Sequence, residues 1–170
     1  MFGQDNWVPL TTNNFEIRIY NMDGSSPTEN ADLLTLSTSE IGEIAEEQDV
    51  ITVHYGNGII KFPSKVSFSD VDWTLNAYCE PNVFGALRAW KDQCFDPKSE
   101  KMGLPSQYMR TAYFIRYTGA GDVKDIIKCP GVWLRQLNNG GMNQEGGNLV
   151  QAKVTLVISK EIYLTEADYT

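Results

Sequence analysis

Histidine is nearly absent from this chain: His54 is the single one in 170 residues. That excludes His-based zinc sites and argues against Ser-His or Cys-His hydrolysis, since each needs imidazole as ligand or base. Cysteine is scarce as well. Cys79, Cys94 and Cys129 are odd in number, and no two sit at C-x-x-C spacing. Each lies among apolar residues, so all three read as buried, reduced thiols acting as small hydrophobes. Basic residues are outnumbered, 14 Lys and Arg against 22 Asp and Glu, for a formal net charge of −8. This balance argues against a protein that wraps duplex DNA, which is held mainly through Lys and Arg contacts to phosphate. An acidic surface fits two other roles, repulsion of nucleic acid or plain solubility. No apolar run approaches the ~20 residues of a membrane-spanning helix. The first ten residues, MFGQDNWVPL, lack the basic start and apolar stretch of a secretory signal, so folding in a cytoplasm is expected. There is no internal repeat and no strong linker. The expectation is a single domain over 1–170, with an N-terminal arm (1–14), a core (15–163) and a C-terminal tail (164–170).

What is present is strand pattern. With 42% hydrophobic and 11% aromatic residues the chain can build an ordinary globular core. Phe15, Ile17 and Ile19 alternate with polar neighbours, as in a half-buried strand. Residues 21–30 are all turn chemistry, and Leu33, Leu34 and Leu36 read as a short strand. Residues 40–49 hold five acids and no base: Glu40, Glu43, Glu46, Glu47 and Asp49. They read as a brief helical turn or an acidic loop. A hairpin over 50–62 follows, with Val50, Thr52 and His54 on one arm. Tyr55, Gly56, Asn57 and Gly58 form its turn, and Ile59, Ile60, Lys61 and Phe62 its return, ended by Pro63. Asn57-Gly58 is read as supplying the positive φ angles of a tight turn.

In the next strand Val66 and Phe68 sit at even positions, but Val71, Trp73, Leu75 and Ala77 at odd ones. That phase change predicts a bulge near Ser69-Asp70. Pro81 is expected in the first turn of a helix whose apolar stripe is Val83, Leu87, Trp90 and Cys94, stopped by Asp96-Pro97. Residues 96–108 read as a polar loop. Strands follow around Tyr113, Ile115 and Tyr117 and from Val123 to Cys129, with a kink at Pro130-Gly131 before Val132-Trp133-Leu134. A Gly/Asn-rich loop over 138–148, read as mobile, precedes a long strand in which Val150, Ala152, Val154, Leu156 and Ile158 alternate with polar residues. The sum is a mainly β protein of seven to nine strands, an antiparallel β-sandwich or barrel with one α-helix packed on it.

Little here reads as chemistry, and no catalytic, metal or cofactor residues are assigned. Asp70 and Asp72 share a strand face and would serve a glycosidase only as a close carboxylate pair. The Gly-Ala-Gly and Gly-Gly pairs match no phosphate loop, and the Asn and acid spacing near 138–148 is not that of a calcium loop. Trp7, Tyr55, Tyr108 and Tyr113 are scattered, so a carbohydrate- or peptide-binding module is the weaker alternative. The hairpin is the better clue: unless something covers it, it exposes unpaired backbone groups. Copies pairing edge to edge around a closed ring remove such edges.

In feature order the chain resembles the tail tube proteins of contractile-tailed bacteriophages and the inner tube proteins of contractile injection systems. The likeness is carried by the strand at 15–20, the acidic connection at 39–49 leading into the hairpin at 50–62, and Ser69-Asp-Val-Asp-Trp-Thr-Leu75. The helix at 83–90, the stretch 108–117, Cys129-Pro-Gly-Val-Trp133 and the closing strand at 149–158 complete it, over roughly residues 12–163. The resemblance implies a non-enzymatic homohexameric ring, stacked into a hollow tube within a sheath and located in the virion tail. Partners would be other copies, the tail sheath protein, and baseplate and tail terminator proteins. Genomic DNA would pass through the lumen without specific binding, and no membrane is involved. The hairpin and the arm, with Trp7 and Pro9, would join subunits and rings, while the five acids would lie at an interface or the lumen. Six copies would carry a formal charge of about −48, a field that repels phosphate.

Overall fold

A computed structural model describes residues 9–169, so Trp7 and most of the arm lie outside the described residues. In chain order the elements are β1 (Phe15–Asn21), α1 (Ala31–Ser37), β2 (Thr38–Ile41), β3 (Glu46–Tyr55), β4 (Gly58–Phe68) and β5 (Val71–Asn76). There follow α2 (Val83–Cys94), β6 (Phe95–Asp96), β7 (Lys101–Met102), α3 (Pro105–Tyr108), β8 (Arg110–Tyr117) and β9 (Val123–Asn138). The chain closes with β10 (Gln151–Val157), β11 (Ile162–Leu164) and α4 (Glu166–Tyr169). The fold is mainly antiparallel β with few helices, as expected.

One long strand organises it. The first half of β9 pairs with β8, which pairs with β1, and takes β11 on its other side. The second half pairs with β10, then β5, then β2. The change of partner comes at Pro130-Gly131, where the β8 register slips and Gly131 takes a φ of 75°. The expected kink is thus a bend within one strand: proline withholds a ladder donor and glycine accepts the left-handed backbone. The two leaves face each other across a common core. Ile17, Ile19, Ala112 and Phe114 come from one leaf, and Trp73, Leu75, Val132, Val154 and Leu156 from the other. Helix α2 adds Val83, Leu87 and Trp90, the predicted stripe, with Cys94 only half-buried at its end.

Several local expectations are corrected. Leu33, Leu34 and Leu36 lie in helix α1, not a strand: Ala31, Leu34 and Ser37 are its buried residues, at helical spacing, while Leu36 is 83% exposed. Thr35 Oγ1 donates to the Ile17 carbonyl at 2.6 Å and pins α1 on β1. Pro81 precedes the helix instead of opening it. The N-cap is Asn82, whose side chain accepts from the Gly85 N–H at 2.9 Å. The polar loop at 96–108 holds the small β6–β7 hairpin and the single turn α3. The described residues contain more strands and helices than the pattern indicated, because two-residue strands and one-turn helices leave no periodicity to read.

The cysteines differ from one another. Cys129 is buried, and its thiol is pushed up to about 12 by burial and then by the nearby charge of Glu161. Cys79 is exposed, contrary to expectation, because it sits in the loop between β5 and α2 and not in an element.

At the end of α2 the Gly103 N–H donates to the Cys94 carbonyl at 2.9 Å. A Cβ at Gly103 would meet the Gln93 carbonyl oxygen at 1.9 Å. Gly103→Ala must therefore push the β6–β7 hairpin off the helix end. The expected loss is ~1–3 kcal/mol, read from urea unfolding against the parent.

Candidate assembly surfaces

Strands β3 and β4 pair with each other and with no other strand among the described residues, forming a two-stranded ribbon. Every residue of β3 is exposed, and only Ser64 and Phe68 of β4 are half-buried. The ribbon is longer than the predicted hairpin, because pairing begins at Glu46 and runs through Pro63 to Phe68. Proline is tolerated there because both ribbon edges are free. At ~3.3 Å per residue its ten-residue strand extends about 30 Å. The predicted phase change is present, but its cause is different. Ser69-Asp70 is not a bulge in one strand but the break where the chain leaves the ribbon and enters the main sheet as β5. The turn is also corrected: the positive φ, 59°, belongs to Gly56, and Gly58 already pairs with Tyr55. A glycine at the first central position of a two-residue loop suits the ribbon's right-handed twist.

The ribbon register separates its two faces. Ile51 opposes Phe62 and Val53 opposes Ile60, so these four share one face with Tyr55. Val50 opposes Pro63, Thr52 opposes Lys61 and His54 opposes Ile59 on the other, mixed face. All the sequence-predicted hairpin residues (Val50, Thr52, His54, Tyr55, Gly56, Asn57, Gly58, Lys61) therefore lie on one projecting element. Of the apolar face that selection included only Tyr55 and passed over Ile51, Val53, Ile60 and Phe62, which are 44–51% exposed.

The five predicted acids do not lie in one element. Glu40 lies in edge strand β2, Glu43 in the connection after it, and Glu46, Glu47 and Asp49 in the root of β3. Pro9 is exposed and outside any element. Asp70 and Asp72 are not a carboxylate pair. Asp70 forms an ion pair with Arg135, whereas Asp72 accepts from Thr155 Oγ1 at 3.3 Å.

Strands β1 and β2 are the outermost strands of the main sheet, and between them lies an open cleft of 1410 Å³; the outer side of β1 is partly bonded already, by residues 26–28 and by Thr35. Phe15, Ile41, Ile44 and Ile127 give it an apolar lining; Glu40 and Glu43 also line it. On its β1 wall Glu16 accepts from Arg18 Nε at 2.7 Å and from the Tyr117 hydroxyl. Burial pushes the Glu16 carboxyl up, but those hydrogen bonds and the Arg18 charge outweigh it and hold the group below 4.5. A depressed carboxyl pKa contributes stability that is present above the unfolded value and lost as pH falls through the folded one. Glu16→Gln should therefore flatten the loss of stability as pH falls through and below the ordinary carboxylate range, measured as urea midpoints along the acid limb.

The β5–β10 leaf turns a polar ladder away from the core. Gln151 Nε2 donates to Asn76 Oδ1 at 3.2 Å, Lys153 opposes Thr74 and Thr155 opposes Asp72, while Ala152, Val154 and Leu156 are buried behind them. No group of three His, Cys, Asp or Glu side chains among the described residues is placed to hold a metal ion. No helix among them is long and apolar enough to cross a membrane.

No family model matches the sequence, and no curated protein matches it. Solved structures do match. A chain in the cryo-EM structure of the anti-feeding prophage tube terminating cap superposes with a TM-score of 0.70 at 11% identity, covering 92% of this chain and 91% of that one. A chain of the sheath-tube complex of an extracellular contractile injection system, PVC, gives 0.66 at 11% identity, covering 92% of each. The SPP1 tail tube gives 0.57 at 13% identity, over 93% of this chain and 80% of that one. The chain has the tail tube fold. Within that fold the described residues leave three surfaces unpartnered: the ribbon, the β1–β2 cleft and the polar ladder. The matched tail tube proteins belong to phage tails and prophage-like tail structures and are structural components.

Proposed function

We propose that this tail tube fold serves as the tube subunit of a contractile, phage-like tail, a structural protein of the virion tail or of an injection device derived from one. The whole chain acts as one tail tube domain whose work is assembly, and no catalysis is involved. Six copies close into a ring, rings stack into a hollow tube, and the tail sheath, baseplate and terminator proteins meet its outside and its ends. The observation that carries this reading is the ribbon. A 30 Å-scale β element with an apolar face and two free edges has no strand partner among the described residues, and a second molecule can satisfy it. The predicted hairpin residues Val50 to Lys61 act as that contact, and the N-terminal arm with Trp7 and Pro9 adds to it.

The polar ladder on β5 and β10 suits a water-filled lumen. A formal charge of −8 per copy repels phosphate, so DNA or another cargo slides through without sticking. Negative-stain electron microscopy of the concentrated protein tests the reading. Sixfold rings stacked into open tubes support a tube subunit, and single rings that never stack support a terminator instead. A strict monomer at high concentration overturns the assembly reading.

A further inference from the structure

We propose that Asn139 is a self-modifying site, where the chain's own backbone converts the side-chain amide to a carboxylate with the help of Arg88. This goes beyond the tube reading and does not depend on it.

The sequence sets the chemistry. An asparagine amide is attacked by the backbone nitrogen of the residue that follows, and a side chain on that residue crowds the approach. Only Asn57 and Asn139 precede a glycine in this chain. Gly140 is required by its own backbone as well. Its φ is 78°, and a Cβ there would meet the Gln151 carbonyl oxygen at 3.0 Å.

The structure separates the two steps. Asn57 lies in the two-residue turn closed by the Tyr55–Gly58 pair, so the Gly58 nitrogen attacks only when the end of the ribbon opens. Asn139 is exposed, and residues 139–150 belong to no helix or strand. The Gly140 N–H donates to Asn138 Oδ1 at 3.1 Å, an exposed bond that water replaces at little cost.

Arg88 supplies the second element. It stands on helix α2, whose neighbouring Leu87 and Trp90 are buried, and its Nη2 donates to Asn139 Oδ1 at 3.3 Å. Among the described residues Arg88 forms no ion pair. A guanidinium on that oxygen draws electrons from Cγ and stabilises the negative charge that gathers there during attack. The same cation then faces the carboxylate that forms, which it holds more strongly than the neutral amide.

The step balances with water alone. The Gly140 nitrogen loses its proton to solvent and bonds to Asn139 Cγ, and the Cγ–Nδ2 bond breaks to release ammonia. Water then opens the cyclic imide at either carbonyl, leaving aspartate or isoaspartate. Nothing is oxidised or reduced, and one negative charge is added to the formal −8.

The test incubates the full folded chain in mildly alkaline buffer and follows tryptic peptide 136–153, and the peptide bearing Asn57, by mass spectrometry with fragmentation. Asn139 should convert at least about threefold faster than Asn57, because only the turn must open first. Arg88→Gln should slow Asn139 about fivefold and leave Asn57 unchanged, with Arg88→Lys in between. In urea the dependence on Arg88 should vanish and the two asparagines should converge, since both differences come from the fold. Asn57 converting as fast as Asn139 in the folded chain, an Asn139 that stays intact, or both Arg88 variants converting at the parental rate overturns the assignment.

Discussion

Replacing Ile51 and Phe62 together with aspartate is expected to abolish assembly while leaving the monomer folded. The two side chains oppose each other on the apolar face of the ribbon and are about half exposed, 51% and 48%, in the isolated molecule. Burying the exposed half of each in an interface is worth ~0.7–1.5 kcal/mol, so losing both weakens every contact by about 1.5–3 kcal/mol, or roughly one to two decades in dissociation constant. The aspartates add to this, because carboxylates left unpaired in an interface are costly to desolvate. The monomer loses little, since neither residue belongs to the core clusters and surface changes away from such features stay within ~0.5 kcal/mol. The measurement pairs sedimentation velocity with thermal unfolding. Lost oligomer at an unchanged midpoint is the expected pattern. Assembly at parental concentrations would show that the apolar face is not a contact.

The ribbon also shows how far the sequence could be read. Alternation from Val50 to His54, a Gly-Asn-Gly turn and a return through Phe62 were enough to place the hairpin, because period-two patterning and turn chemistry are local signals. Its root was not legible. Glu46, Glu47, Gln48 and Asp49 carry no β signature and belong to β3 only because β4 supplies their partners. The same limit hid the cleft. Ile41 and Ile44 lie among acids with no periodicity, and their role depends on β1, some thirty residues earlier, coming to face them.

Where a signal was local but ambiguous, tertiary packing decided it. Leu33-Leu34-Thr35-Leu36 fits a strand as easily as a helix, and the contact of Thr35 with β1 selects the helix. Gly56, not Asn57-Gly58, carries the left-handed backbone, since either pair of central residues would suit a hairpin read by composition alone. The order of elements was therefore readable, whereas the candidate assembly surfaces were readable only in their strand half.

Trp73→Ala should have the opposite signature, losing assembly because the fold itself fails. Trp73 lies in the middle of β5, between Val154 of β10 and Ile41 of β2, and is fully buried. Its Nε1 donates to Thr38 Oγ1 at 3.0 Å, and that hydroxyl in turn donates to the Leu34 carbonyl at 2.8 Å. One side chain thus ties β5 to the junction of α1 and β2, next to the cleft edge. Truncating a buried tryptophan costs ~3–5 kcal/mol in lost transfer energy and residual cavity, against a total of about 5–15 kcal/mol for a typical domain. Trp73→Phe keeps most of the volume but not the donor, and should cost less, with about 1 kcal/mol of its loss coming from the hydrogen bond. Urea unfolding of the two variants beside the ribbon double mutant separates the causes. The tryptophan series should lower the midpoint in the order Ala below Phe below parent, with assembly falling in step. The ribbon mutant should fall out of that correlation, because its defect lies in a surface the folded monomer leaves open.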